Sequence, residues 1–254
     1  MLWASAGLHV LAGASLVAAP SRWPVALGVV AASQLALTVA GLLPRCSLLG
    51  PNLVRLPDAA DGRVALTFDD GPDPAVTPHV LDLLDRHGAK ASFFCIGRLV
   101  LAHPGLAREI HERGHRVENH SFRHSNAFAF QGPARLRAEI QRAQDAIGSS
   151  LGRAPSLFRA PAGIRNPWLD PVLARLGLRL VSWTRRGFDT VTAAPQRVTW
   201  RLVRGLAAGD ILLLHDGASA RDASGRPVVL QALTGLLLEL ERRGLRSVRV
   251  DEAL

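Results

Sequence analysis

From residue 63 onward the chain repeats one pattern: a short apolar run, a polar or glycine-containing break, then an amphipathic stretch. The runs fall at 64–68, 91–96, 116–117, 157–158, 178–183, 210–214 and 247–250, with helical stretches at 77–87, 106–113, 134–147, 167–176, 196–207 and 228–243. Such alternation predicts parallel strands, because each helix carries the chain back along the sheet before the next strand begins. Gly88, Gly114, Gly177, Gly209 and Gly244 stand where the helices should end, as glycine does at helix C-termini. About seven units over roughly 190 residues fit an α/β fold, a distorted (β/α) barrel of seven or eight strands, better than a two-layer sandwich. In such barrels reactive groups gather at the C-terminal ends of the strands.

Five of the predicted strand ends carry Asp, His or Arg. The first ends in Thr67-Phe68-Asp69-Asp70-Gly71-Pro72-Asp73, where adjacent carboxylates point in different directions and can take different roles. The third ends in Glu118-Asn119-His120-Ser121-Phe122-Arg123-His124, and histidines at i and i+4 on one face of a helical turn can converge on one metal ion. Two imidazoles and the Asp70 carboxylate make a three-ligand set with an open position, the arrangement of catalytic zinc. The remaining ends give Phe158-Arg159-Ala160-Pro161-Ala162-Gly163, then Trp183-Thr184-Arg185-Arg186-Gly187-Phe188-Asp189, then Leu213-Leu214-His215-Asp216-Gly217. Each piece has an ordinary reading. Asp, Gly and Pro make turns, and His-x3-His pairs arise by chance in a chain with nine histidines. Their joint occurrence carries the weight.

In this order the segments TFDDGPD, HSFRH, RAPAG, WTRRGFD and LLLHDG resemble the five motifs of the polysaccharide deacetylase family, also called NodB-homology or carbohydrate esterase family 4. The resemblance covers residues 61–254. It implies a divalent metal, usually Zn2+, held by Asp70, His120 and His124. It further implies that Asp69 is the general base, oriented and tuned by Arg159. His215 would be the general acid, paired with Asp189. Leu213 would line the pocket for the acyl methyl group, Trp183 would bind substrate, and the Ala162 backbone N–H would be an oxyanion donor. Thr190 stands where the family often has Trp and Ala162 replaces a frequent aromatic, changes that bear on substrate preference. The implied reaction is hydrolysis of N-acetyl or other acyl groups on amino sugars of an acylated carbohydrate. Two alternatives stand beside it: de-N-acylation of a lipid-linked amino sugar at a membrane surface, and an inactive carbohydrate-binding module.

The N-terminal 44 residues are of another kind. Neither residues 1–19 nor residues 25–43 contain Lys, Arg, Asp or Glu, and Pro20-Ser21-Arg22-Trp23-Pro24 separates them. A 19-residue helix is about 28 Å long, close to the ~30 Å hydrocarbon core of a bilayer. The expected organisation is a transmembrane helical hairpin at 1–44, a linker at 45–60 and the catalytic domain at 61–254. Membrane lipid is then a partner and a bacterial inner membrane the expected location. A signal peptide ending near Ala19 is the weaker reading, because no basic region precedes the apolar one. A buried helix pair in a soluble protein is the other. Arg45 and Arg55 after the second span, against Arg22 in the turn, slightly favour a cytoplasmic catalytic domain and leave the side open. The formal charge of +9 comes almost entirely from arginines scattered along helical stretches, without interleaved aromatic platforms, so no nucleic-acid partner is expected.

Overall fold

The computed structural model describes residues 2–57 and 61–254, with side chains from residue 4 onward. Two N-terminal helices, α1 (Leu2–Ala18) and α2 (Trp23–Leu42), are joined by a 3-10 turn at Pro20–Arg22 and pack against each other. Ser5 Oγ meets Ser33 Oγ at 2.7 Å and Gln34 Nε2 meets His9 Nε2 at 3.1 Å, so these four polar side chains face one another across the pair. Apolar ones face outward: Val10, Leu11, Val17, Val25 and Leu35 are all exposed. Pro20–Leu42 is long and apolar enough to cross a membrane, whereas the apolar stretch of α1 is shorter. Met1 and residues 58–60 of the expected linker lie outside the described residues.

The barrel portion begins with β1 (Arg63–Asp69), α3 (Thr77–Arg86), β2 (Ala91–Cys95), α4 (Gly97–Ala102), α5 (Pro104–Glu112) and β3 (Arg116–Asn119). It continues through α6 (Pro133–Leu151), β4 (Leu157–Phe158), α7 (Leu169–Arg175), β5 (Arg179–Leu180) and β6 (Arg185–Arg186). α8 (Pro195–Val203), β7 (Ile211–His215), α9 (Val228–Arg242) and β8 (Arg246–Ser247) complete it. The strands pair in parallel in the order β5-β4-β3-β2-β1-β7-β6, and β8 joins the start of β1. β5 falls inside the single run expected at 178–183 and β6 lies just beyond it, yet one pairs with β4 and the other with β7. One short stretch therefore carries both edges of the sheet, and the sheet curls around to meet itself.

The expected linker does more than connect. Leu53 pairs with Val181 and Arg55 with Asp210, so its backbone fills the gap left where β5 parts from the sheet.

Strand alternation sorts the apolar residues into two layers. Leu66, Phe68, Phe93 and Leu212 pack outward under the helices, where α9 contributes Val229, Leu233, Leu236 and Leu240. Ala65, Phe94, Leu157, Ile211 and Leu213 point inward and fill the barrel. Each buried large aliphatic side chain stabilises the fold by about 1.5–3 kcal/mol.

Candidate active site

Strands β1 to β7 run toward one mouth, and the backbone there is strained. Asp70, Ser121, His124, Ala162, Phe188 and Ala218 all have φ between 54° and 71°, although none is glycine. Each costs about 1–2 kcal/mol in that left-handed region, and such strain persists where surrounding packing over-determines the local geometry.

The His120–His124 spacing does not form the expected helical turn. Residues 120–127 contain no helix; left-handed residues at Ser121 and His124 fold the loop back instead. Two side-chain hydrogen bonds hold that bend: Asn119 Oδ1 accepts from the Ser121 N–H at 2.9 Å, and Ser121 Oγ from the His124 N–H at 3.1 Å. The rings still converge, their centroids 4.9 Å apart.

Between them lies Asp70. Its Oδ1 is 3.4 Å from His120 Nε2 and 3.2 Å from His124 Nε2, and the three candidate donor atoms fall within 4.8 Å of one another. Asp70 Oδ1 is buried with no hydrogen-bond partner. His120 Nδ1 lies 2.8 Å from the Arg159 carbonyl oxygen. A carbonyl oxygen only accepts, so Nδ1 carries the proton and Nε2 presents its lone pair toward Asp70. An orphaned carboxylate oxygen facing imidazole lone pairs fits a divalent cation, and this N,N,O set suits zinc.

Burial works against the charged form of Asp70. The nearby charges of His120, His124 and His215 outweigh it and hold the carboxyl at about 2. Burial also works against a charged His120, but the Asp69 and Asp70 charges leave its pKa raised. His124, where burial and the neighbouring His120 act together, is lowered.

Asp69 sits one residue earlier and faces the barrel interior. Arg159 Nη1 donates to its Oδ1 at 2.7 Å and to Thr67 Oγ1 at 2.8 Å. Arg159 Nη2 donates to the Ser182 carbonyl at 3.0 Å, and the guanidinium lies 4.0 Å from the Phe94 ring centre. With the side chain fully buried, this planar fork is locked on several sides and holds the carboxylate in one orientation.

Asp189 accepts from the His215 backbone N–H at 2.7 Å and pairs with His215 Nδ1 at 2.9 Å. The ring therefore directs Nε2 away from Asp189. Burial disfavours the His215 cation, but Asp189 outweighs it and raises the pKa.

Asp69, Asp70, His120, His124, Ala162, Trp183, Leu213 and His215 all line one cleft of about 200 Å³. Arg159 and Asp189 stand behind it, touching Asp69 and His215. All ten residues singled out from the sequence thus belong to one assembly.

Two further residues were not singled out. Arg186 lines the cleft beside Trp183, whereas Arg185 points to Asp210. The alternation of a strand offers that choice between the two arginines, but the sequence does not say which faces inward. Asp216 is buried, accepts from Thr77 Oγ1 at 2.6 Å, and is raised to about 7 by burial.

The sequence profile described as polysaccharide deacetylase matches residues 57–181. A chitooligosaccharide deacetylase of Bradyrhizobium sp. (strain ANU 289) is 38% identical over 191 residues, covering 71% of this chain and 85% of the relative. A peptidoglycan-N-acetylglucosamine deacetylase of Bacillus cereus is 34% identical over 193 residues, covering 75% and 87%. The structure of a family 4 carbohydrate esterase from Streptomyces lividans matches with a TM-score of 0.66 at 34% identity, covering 74% of this chain and 92% of that one. A CE4 pseudoenzyme from Bacillus anthracis matches at 0.71 with 22% identity over 80% and 68%, a likeness of fold alone. Identity at this level over most of a relative's length makes the chain a member of the polysaccharide deacetylase (NodB-homology, carbohydrate esterase 4) family, hydrolases of the amide bond in acetylated sugars.

Proposed function

We propose that this chain is a zinc-dependent deacetylase that hydrolyses the N-acetyl group of an amino sugar in a cell-envelope glycan, anchored to the membrane by α1 and α2. The observation that carries the reading is the orphaned Asp70 Oδ1 between two imidazole nitrogens, in the cleft that Asp69 and His215 also line.

Asp70, His120 and His124 hold the cation, which when bound supplies Lewis acidity toward water and the amide carbonyl. Asp69 takes the proton of the attacking water. Arg159 keeps its Oδ1 occupied, so Oδ2 is left to act as the base. His215 delivers a proton from Nε2 to the departing nitrogen, because an amine leaves poorly until protonated. Asp189 holds Nδ1–H and keeps the ring in the donating orientation. The Ala162 N–H donates to the developing oxyanion, and Leu213 and Trp183 shape the seat for the acetyl methyl group.

The relatives described as acting on chitooligosaccharide and on peptidoglycan N-acetylglucosamine support an N-acetylated glucosamine-type substrate. The complete set of acid, base and three donors favours hydrolysis over an inactive carbohydrate-binding module. Anchoring rests on the outward-facing apolar residues of the helix pair. Asp69→Asn tests the central assignment: acetate release from an N-acetylated oligosaccharide should fall by about 10²–10⁴-fold while bound zinc and the folded circular dichroism spectrum persist. Undiminished acetate release in that variant would remove Asp69 as the base.

A further inference from the structure

The helix pair is not tied to the barrel at an arbitrary point. Its root packs against the loops that form the mouth. The Arg165 N–H donates to the Gly41 carbonyl at 3.0 Å, at the end of α2, and the Arg165 guanidinium donates to the Cys46 carbonyl. Ser182 Oγ donates to the Pro44 carbonyl at 2.6 Å, as does Asn52 Nδ2 at 2.8 Å. The fit is close: a Cβ on Gly41 would overlap the Arg165 carbonyl oxygen, and one on Gly163 would press on Trp183 and Pro44. Gly163 and Trp183 both line the cleft, so the foot of the apolar helices abuts the cleft wall.

The loops beside this root are themselves apolar at their tips. Asn166 follows Arg165, and its Nδ2 donates to the carbonyls of Ala129 and Gln131, bracketing Phe130. Phe130 is 90% exposed, and Trp168, Phe188 and Val191 are also exposed. These four sit in the connections that follow β3, β4 and β6, all on the mouth side of the barrel. Leu101, Trp200, Leu238 and Leu254, the other exposed large apolar residues described beyond the helix root, are spread over α4, α8, α9 and the C-terminal residue. Single exposed apolar side chains need no explanation. A group of them on one face, sharing that face with the root of an apolar helix pair, marks an interfacial surface where aromatic rings settle at headgroup level.

We infer that the mouth of the cleft faces the bilayer surface, and that the substrate is an N-acylated amino sugar carried on a membrane lipid rather than one within a soluble glycan. This rests on the deacetylase reading above. The rigid root holds the cleft at a fixed height, and a lipid-anchored sugar diffuses in the same plane, so confinement raises its effective concentration at the site.

The full chain in nanodiscs would be given two substrates, N-acetylglucosaminyl-diphospho-polyprenol in the same nanodiscs and a soluble chitooligosaccharide, with acetate release measured for each. The expected kcat/KM on the lipid-carried sugar is at least about tenfold higher. The double variant Phe130→Ser/Trp168→Ser, altered only at exposed positions, should lose most of that preference while soluble turnover stays unchanged. Equal or better turnover of the soluble substrate, or a preference untouched in the double variant, would overturn the inference and leave the deacetylase reading standing. Acetate from neither substrate would overturn both.

Discussion

The barrel holds two buried polar clusters, one at its mouth and one near its floor, and they are built on opposite principles. Near the floor, Glu118 accepts at Oε1 from Arg116 Nε at 2.9 Å and at Oε2 from the N–H groups of Ser156 and Leu157 at 2.9 and 2.8 Å. Both oxygens are occupied, and the residue is absent from the cleft lining. At the mouth, Asp70 is charged and largely enclosed, yet its Oδ1 has no donor and faces a cavity. Leaving a buried acceptor unpaired costs about 1–3 kcal/mol, so the mouth keeps a cost that the floor has removed. A satisfied buried carboxylate braces the fold; an unsatisfied one facing a cleft awaits a ligand.

If that contrast holds, mouth variants lose chemistry and keep the fold, whereas floor variants do the reverse. The largest effect is expected for His120→Ala, or for chelation of the purified chain: acetate release falls below detection, while the folded spectrum remains. Asp69→Asn, measured as kcat at saturating substrate, should fall by about 10²–10⁴-fold with metal content unchanged. Asp189→Asn should sharpen the picture through its pH profile. Asp189 raises the His215 pKa, so removing its charge lowers that pKa and the acid is lost sooner as pH rises. The alkaline limb of kcat against pH should therefore move to lower pH by about 1–3 units. Glu118→Gln should have the smallest effect on turnover per folded molecule. It should nevertheless destabilise the fold by about 1–3 kcal/mol in denaturant titration, because Arg116 loses its nearer carboxylate and keeps only Asp251 at 3.6 Å. Loss of activity without loss of stability in that variant would erase the distinction between the two clusters.

The same contrast explains what could be read in advance. Strand ends are legible because apolar runs stop abruptly at Asp69, Glu118 and His215, with His120 two residues further on, and parallel strands bring those stops to one face. The geometry between the stops is not. The sequence H-S-F-R-H suggests a helical turn by its spacing, and only the left-handed backbone at Ser121 and His124 reveals a folded-back loop. α4 escaped notice because six residues give too little periodicity to read. The division of residues 178–186 between two sheet edges, and the docking of residues 41–52 on the mouth, depend on long-range backbone hydrogen bonds that leave no local pattern. Arg186 was hidden for a similar reason: two adjacent arginines on a strand face opposite ways, and composition does not rank them.

X-ray absorption of the zinc-loaded chain tests the account most directly. Two imidazole nitrogens with oxygen completing the shell at about 2.0–2.2 Å are predicted, falling to one imidazole in His120→Ala. A sulfur ligand from Cys46 or Cys95, or an imidazole count unchanged in that variant, would contradict it.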